Sequence, residues 1–187
     1  EQKFGIIQPS ILHYADGRLQ MLARSRENYV ISSWSSDKGE TWSAPEPTFL
    51  PNPNSGTDAV TLQNGLQLIV YNHSYKRADR WGGKRTTLSV ALSLDGRVWE
   101  TILHLEEEPG EFSYPAVIQG EDGIVHITYT WNREKIKYVA LNPAKLDHQL
   151  VTGIEIPEDK VKHLKVYYEP GRFGGWPANH GIWSWGD

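Results

Sequence analysis

The sequence lacks several features that would assign it to a common class of protein. It contains no cysteine, which excludes disulfide bonds and thiol catalysis. No apolar run approaches the roughly 18 residues that a membrane-spanning helix needs. The formal net charge is −4 and the basic residues are scattered, so there is no basic patch to bind a phosphate backbone. We therefore expect neither a membrane nor a nucleic acid as a partner.

Motifs for nucleotide binding, serine hydrolysis and metal binding are also missing. The sequence has no G-x-x-x-x-G-K-[ST], no G-x-G-x-x-G between a strand and a helix, and no G-x-S-x-G. Its seven histidines show neither H-x-x-x-H nor H-E-x-x-H spacing. The sequence thus predicts no metal site and no cofactor.

Aromatic residues are abundant, with 8 Trp and 9 Tyr. Such residues fill β-sheet cores, and they also suit surfaces that bind sugars. The length and the 39% hydrophobic content allow a globular domain with a sizeable core.

Three segments of the chain repeat one pattern, at 9–26, 58–74 and 114–132. Each has a β-rich run, a polar turn ending at Gly17, Gly65 or Gly123, and a second alternating run, which predicts a hairpin. The glycines are 48 and 58 residues apart. Repeats of about 40 to 50 residues with about four strands each are typical of propeller blades.

A second repeated element is SSDKGETW at 35–42, with a near copy, SLDGRVW, at 93–99. We place this motif on the turn between the two outer strands of a blade. Asp37 is expected to accept local backbone N–H bonds, Gly39 to take a positive φ, and Trp42 to turn into the core. This predicts a stabiliser of the fold and not a catalytic device.

The pattern S-x-D-x-G-x-T-W, formed by Ser35, Asp37, Gly39, Thr41 and Trp42, resembles the Asp-box of sialidases. Together with segments 50–74, 85–93 and 110–131, it resembles the C-terminal half of bacterial sialidase-like propellers of the exo-α-sialidase type. The resemblance covers about residues 5–150. It implies an all-β fold: a partial β-propeller of Asp-box type, with about three four-stranded blades plus a tail.

The resemblance also suggests how the chain is divided. Residues 1–150 are expected to form the propeller blades. Residues 151–187 form either a linker and the start of a second sialidase-like module or the closing strands of the first. The remainder of the propeller is expected in the same polypeptide or in a partner chain. A sugar-stacking rim is considered in the tail, formed by Trp176, His180, Trp183 and Trp185.

Polar residues recur at corresponding strand ends of the repeats, where the blades of a propeller meet in a common funnel. We predict that they line a pocket. They are Gln8, Gly56 and Tyr114 before the turns, Arg24, Asn72 and Thr130 after them, and Arg26, Ser74 and Asn132 two residues further on.

The resemblance assigns roles to some of these residues. Tyr114, in SYP, matches the region of the family's nucleophile. Arg85 and either Arg24 or Arg26 resemble arginines that bind the substrate's carboxylate. Glu111 is a candidate acid for activating Tyr114, with a solvated loop residue as the alternative. Further candidates for binding the substrate are Asp58, Asn72 and Trp131.

The resemblance therefore implies a glycoside hydrolase that removes a terminal acidic sugar such as sialic acid, in a secreted or periplasmic protein. The family's general acid has no counterpart in this chain, so we expect the isolated chain to be inactive. One alternative is a non-catalytic carbohydrate-binding β-propeller. Another is a polysaccharide lyase in which Tyr114 abstracts a proton.

Overall fold

The computed structural model describes residues 4–145 and 161–168. These residues form three four-stranded antiparallel sheets, and the only helical element among them is the 3-10 turn Pro143–Lys145. Each sheet forms one blade. The predicted all-β fold with about three four-stranded propeller blades is confirmed.

The strands follow one another from the inner to the outer edge of each blade. Blade 1 contains β1 (Ile7–His13), β2 (Leu19–Arg24), β3 (Tyr29–Ser35) and β4 (Glu46–Pro51). Blade 2 contains β5 (Asp58–Thr61), β6 (Gln67–Asn72), β7 (Leu88–Ser93) and β8 (Glu100–Glu106). Blade 3 contains β9 (Phe112–Gln119), β10 (Val125–Trp131), β11 (Lys135–Leu141) and β12 (Val161–Tyr168).

The first hairpin of each blade closes at the glycine that the sequence singled out. Gly17, Gly65 and Gly123 have φ values of 85°, 86° and 79°. Glycine adopts this left-handed region without the steric cost that a Cβ imposes. The three predicted hairpins are therefore confirmed.

The core lies between neighbouring blades. Strand β1 contacts β5, and β5 contacts β9, so the inner strands of the three blades lie side by side. Leu12, Leu22, Ile69 and Tyr71 are fully buried in the cluster that joins blades 1 and 2. A larger cluster joins blades 2 and 3, with members that include Leu68, Val90, Phe112, Ile127 and Val139. Burial of this apolar surface holds the blades together.

The first Asp-box motif connects β3 to β4, as predicted. Asp37 accepts hydrogen bonds from the N–H and the hydroxyl of Thr41, at 2.9 and 2.5 Å, and Gly39 has a φ of 93°. The expectation that Trp42 belongs to the core is wrong. Trp42 is 39% exposed and packs against neither core cluster of the described residues, and its Nε1 donates to the carbonyl of Gly39, at 3.1 Å, which holds the indole against its own turn.

The second motif connects β7 to β8 and binds its own turn in a similar way. Asp95 accepts from the N–H groups of Arg97 and Val98, and Trp99 Nε1 donates to the carbonyl of Gly96. Trp99 is half-buried and packs on the core between blades 1 and 2. The second copy thus directs its tryptophan inward where the first does not.

Strand β12 pairs with β11 as the outer strand of blade 3, from Leu141 opposite Val161 to Lys135 opposite Tyr168. Residues 161–168 of the predicted tail therefore belong to the third sheet. The predicted rim of Trp176, His180, Trp183 and Trp185 lies outside the described residues, and the division of the chain at residue 150 stays a prediction.

Candidate active site at the upper face

The predicted pocket residues lie at one end of the sheets. Because the strands of a blade alternate in direction, the starts of β1, β5 and β9 lie at the same end as the ends of β2, β6 and β10. We call this end the upper face, defined by Gln8, Arg24, Asn72 and Tyr114. The turns at Gly17, Gly39 and Gly96 mark the opposite end, the lower face.

Two inner strands carry the same backbone irregularity at the upper face. Gln8 and Tyr114 occupy equivalent places in their blades, and their φ values are 56° and 53°. Each precedes a proline, and each lies where the pairing of its strand shifts register. Positive φ costs a residue other than glycine on the order of 1–3 kcal/mol and is concentrated at functional sites. A bulge also redirects a side chain away from the regular alternation of its strand.

Arg24 and Arg85 lie beside Tyr114. Arg24 ends β2 and is only 3% exposed, while Arg85 precedes β7. The Cζ atom of Arg85 is 5.3 Å from the centroid of the Tyr114 ring. Burial lowers the pKa of Arg24, a hydrogen bond with Tyr114 opposes that shift, and the nearby charge of Arg85 adds to it. The pair therefore forms a concentrated positive charge around the tyrosine.

The buried guanidinium of Arg24 is not fully paired. Its Cζ atom is 5.6 Å from the centroid of the Trp81 ring, and its Nε has no hydrogen-bond partner within the described part of the chain. A buried donor without a partner is costly, and a carboxylate is the acceptor that a guanidinium binds best.

Of the two arginines that the sequence left open, Arg24 faces inward and Arg26 does not. Arg26 is exposed, and its side chain lies over Gly5, where an added Cβ would be 2.9 Å from Arg26 Cδ. Sequence reasoning could not choose between them, because residues two apart share one face of a strand and Arg26 lies two residues past Arg24, the end of β2.

Glu111 holds two arginines. Its Oε1 accepts from Arg85, at 3.4 Å, and from Arg133, at 2.9 Å, while Ser113 Oγ lies 3.5 Å away. The N–H of Glu111 donates to the side-chain oxygen of Asn132, and the N–H of Asn132 donates to the carbonyl of Glu111, both at 2.7 Å. The carboxylate is 30% exposed. Glu111 thus positions Arg85, and its predicted role as the acid that activates Tyr114 stays a prediction.

Arg133 is a residue that the sequence reasoning missed. It lies in the turn between β10 and β11, where Asn132 and Arg133 have φ values of 51° and 57°. The hydrogen bond and the charge of Glu111 raise the pKa of Arg133, and Tyr114 contributes to the same shift. The available signal was its place in a short turn one residue past the predicted pocket residue Asn132.

Asp58 and Asn72 are buried and bonded to neighbouring strands. Asp58 accepts hydrogen bonds from the hydroxyl of Ser10 in β1, at 2.7 Å, and from the N–H of Val117 in β9, at 2.8 Å. Asn72 accepts from Ser55 and donates to the carbonyls of Thr87 and Phe112. Both side chains join blades, and their predicted contacts with substrate stay predictions.

Trp131 ends β10 and is half-buried. Its ring centroid lies 3.6 Å from Lys135 Nζ and 6.0 Å from the centroid of the Phe112 ring. Its predicted role in binding substrate also stays a prediction.

Across residues 4–145 and 161–168, no cluster of three or more His, Asp or Glu side chains is arranged to hold a metal ion. No helix in those ranges is long and apolar enough to cross a membrane.

The blades and the Asp-box turns define a β-propeller with the fold of the sialidases. Residues 1–127 match the BNR repeat-like domain. Since the match covers well over half of the sequence, the chain belongs to that family. No curated protein matches it.

Three solved structures have the same fold. An intramolecular trans-sialidase from Ruminococcus gnavus, bound to oseltamivir carboxylate, aligns with a TM-score of 0.57 and 18% identity over 75% of this chain and 33% of its own. An α-L-arabinofuranosidase from Fusarium graminearum aligns with a TM-score of 0.55 and 16% identity over 74% of this chain and 45% of its own. A protein of unknown function from Dyadobacter fermentans aligns with a TM-score of 0.58 and 16% identity over 74% of this chain and 48% of its own. The chain thus spans between a third and a half of these proteins.

Proposed function

We propose that this chain carries the carboxylate-binding and nucleophilic part of the active site of a sialidase-like glycoside hydrolase. The substrate is a glycan with a terminal acidic sugar, such as sialic acid. The observation that carries the proposal is the placement of Arg24 and Arg85 beside Tyr114 at the ends of the inner strands.

The arginines favour an acidic substrate. Arg24 is buried, its Nε has no acceptor among the described residues, and a planar carboxylate would supply one. Solved relatives act on different sugars, since they include sialidases and an α-L-arabinofuranosidase. An arabinofuranose has no carboxylate, so it would leave the buried Nε of Arg24 without a charged acceptor, while Arg85 keeps its ion pair with Glu111. The fold therefore supports a glycoside hydrolase, and the charge of the site favours the acidic sugar.

Tyr114 suits the chemistry of such a substrate. A carboxylate nucleophile would be repelled by a carboxylate next to the anomeric carbon, whereas a neutral tyrosine is not. In the proposed step the phenol gives its proton to a carboxylate, for which Glu111 is the candidate, and its oxygen bonds to the anomeric carbon. The glycosidic bond breaks, and the leaving oxygen takes a proton from an acid outside the described residues. Water then cleaves the glycosyl–tyrosine bond. The adjacent guanidiniums stabilise negative charge on the phenol oxygen during attack.

The test is turnover of 4-methylumbelliferyl sialic acid and of an aryl α-L-arabinofuranoside by the full-length parent protein. We expect hydrolysis of the sialoside, a loss of roughly a thousandfold or more in Tyr114→Phe, and little change in Tyr75→Phe, an exposed tyrosine with 55% of its surface in solvent. Arg24→Met should raise KM strongly.

Three results would overturn the proposal. Hydrolysis of the arabinofuranoside alone would contradict the acidic substrate, although the protein would still be a glycoside hydrolase. Full activity in Tyr114→Phe would show that Tyr114 is not the nucleophile. A folded parent that binds sialic acid without cleaving it would instead identify a carbohydrate-binding propeller.

A further inference from the structure

A pocket of about 640 Å³ opens at the lower face, at the other end of the strands from Tyr114. We call it the Asp-box pocket. It lies where the first turn of blade 1, the Asp-box turn of blade 1 and the corresponding turn of blade 2 meet. The side chains that matter for its chemistry are Arg18, Trp34, Thr41, Trp42, Glu46 and Arg97.

The junction of the two blades keeps the walls of this pocket in place. Gln20 Nε2 donates to the carbonyl of Gly96, at 2.8 Å, and to the hydroxyl of Ser32. A Cβ on Gly96 would be 2.0 Å from the hydroxyl oxygen of Tyr14, so the two turns approach as closely as glycine allows. All of these groups lie within the described residues of blades 1 and 2. The walls of the pocket that the structure describes therefore all come from blades 1 and 2.

Two tryptophans line the pocket. Trp42 is 39% exposed, and its hydrogen bond to Gly39 fixes the plane of its ring. The guanidinium carbons of Arg18 and Arg97 lie 5.0 and 5.6 Å from the centroid of the Trp34 ring. An exposed indole of fixed orientation offers a large apolar face at little cost in side-chain entropy, and this suits stacking against the flat face of a sugar ring.

The charges around the pocket favour a neutral ligand. Arg18 is paired with Asp16, at 2.7 Å, so its charge is compensated. Glu46 faces the same space as Arg97. Arg97 is bonded through its backbone N–H to Asp95, and its guanidinium makes no hydrogen bond or ion pair with the described residues. The pocket thus offers donors and acceptors without an excess of one charge, in contrast to the arginine cluster at the upper face. Sugar hydroxyl groups both donate and accept, whereas an anion needs donors alone.

From these observations we infer that the Asp-box pocket is a second carbohydrate site, which binds a neutral oligosaccharide. Trp42 supplies the stacking surface, and Arg97 and Glu46 bond the hydroxyl groups. The volume lies within the range of small-ligand sites. The inference does not depend on the proposed hydrolase, because binding at the lower face needs neither Tyr114 nor the arginines at the upper face. Its consequence is that the protein holds a glycan chain at a point remote from the bond it acts on.

The test is a titration of the full 187-residue chain with lactose, cellobiose, arabinobiose and 3′-sialyllactose. Binding is measured by isothermal titration calorimetry and by the change in tryptophan fluorescence. We expect at least one neutral disaccharide to bind with a Kd of about 1 mM or below. Trp42→Ala should weaken that binding roughly fivefold to tenfold, and Arg97→Ala should weaken it by a similar factor.

Trp81→Ala is the matched control, because Trp81 is 58% exposed and lies at the upper face beside Arg24. It should leave the affinity unchanged. If Trp42→Ala fails to fold by circular dichroism, Arg97→Ala decides, since its guanidinium has no hydrogen bond to lose. The inference is overturned if no neutral disaccharide binds at about 10 mM, or if Trp81→Ala abolishes the binding while Arg97→Ala preserves it. Binding of 3′-sialyllactose alone, lost in Arg24→Met, would assign carbohydrate binding to the upper face and overturn the inference while leaving the proposed function intact.

Discussion

Asp37 organises the first Asp-box turn at the scale of a single residue. Its carboxylate accepts hydrogen bonds from the hydroxyls of Ser35 and Thr41 and from the N–H of Thr41. These bonds favour the charged form, and the pKa of Asp37 is accordingly lowered to about 2, with the two bonds from Thr41 as the largest causes. The carboxylate is exposed, so Asp37 stabilises the turn through these local hydrogen bonds and not through burial of its side chain.

This lowered pKa predicts a pH-dependent contribution to stability. A carboxyl group whose pKa is lower in the folded state stabilises the fold above its unfolded pKa of about 4, and that contribution is lost as the pH falls toward 2. We expect Asp37→Asn to be less stable than the wild type at pH 7, and the difference to shrink between about pH 4 and pH 2. Urea unfolding at a series of pH values measures the difference in the free energy of unfolding between Asp37→Asn and the wild type, with Ser36→Ala as the neutral control. A difference that stays constant down to pH 2 would contradict the assignment.

The turns show which structural elements a sequence can specify. Gly17, Gly65 and Gly123 were predicted to close hairpins because D-G and N-G pairs favour positive φ, and all three do so. The same rule did not predict the positive φ of Gln8 and Tyr114. A residue before proline is normally extended, so the positive φ at these two positions reflects tertiary packing that no local pattern records.

Trp42 and strand β12 show the same limit. The motif predicted that Trp42 turns into the core, but whether a neighbouring blade covers that tryptophan depends on how the blades pack. Trp99 is half-covered and Trp42 is exposed. The outer strand of blade 3 was not placed because the third blade has no copy of the Asp-box motif that marks the turn between the two outer strands of blades 1 and 2. In the site, Arg24 and Arg26 follow the same strand, and only the fold distinguishes the buried residue from the exposed one.

Two glycines provide a prediction for the turn as an element. Gly65 and Gly96 both have positive φ, at 86° and 71°, but a Cβ on Gly65 meets nothing within 4 Å, whereas one on Gly96 would be 2.0 Å from the hydroxyl of Tyr14. Gly65→Ala should therefore lower the free energy of unfolding by only about 1–2 kcal/mol, because alanine is disfavoured at positive φ. Gly96→Ala adds a clash between blades and should cost about 3 kcal/mol or more. Chemical denaturation of both variants measures the difference. Equal losses would show that the two blades do not approach as closely as described.

The whole molecule depends on the inner strands, and Asp58 joins all three of them. It begins β5, accepts from Ser10 in β1 and accepts from Val117 in β9. The repeat pattern predicted the three blades and the convergence of their strand ends. It did not reveal that this carboxylate bonds both neighbouring blades, because such a contact exists only after the blades are assembled. One buried side chain thereby couples the packing of the scaffold to the end of the sheets where Tyr114 lies.

The last prediction concerns this coupling. Asp58 is 2% exposed, so Asp58→Ala leaves the Ser10 hydroxyl and the Val117 N–H without their acceptor in a buried environment. Hydrogen bonds to charged groups are worth about 1.5–3 kcal/mol each, and we expect a loss of about 2–4 kcal/mol in the free energy of unfolding. Asp58→Asn keeps one acceptor oxygen and should lose less. Asp79→Ala removes a surface carboxylate that is 58% exposed and should change stability by no more than about 0.5 kcal/mol. Urea denaturation of the four proteins gives the comparison. If Asp58→Ala is as stable as the surface control, Asp58 does not contribute to holding the three inner strands together.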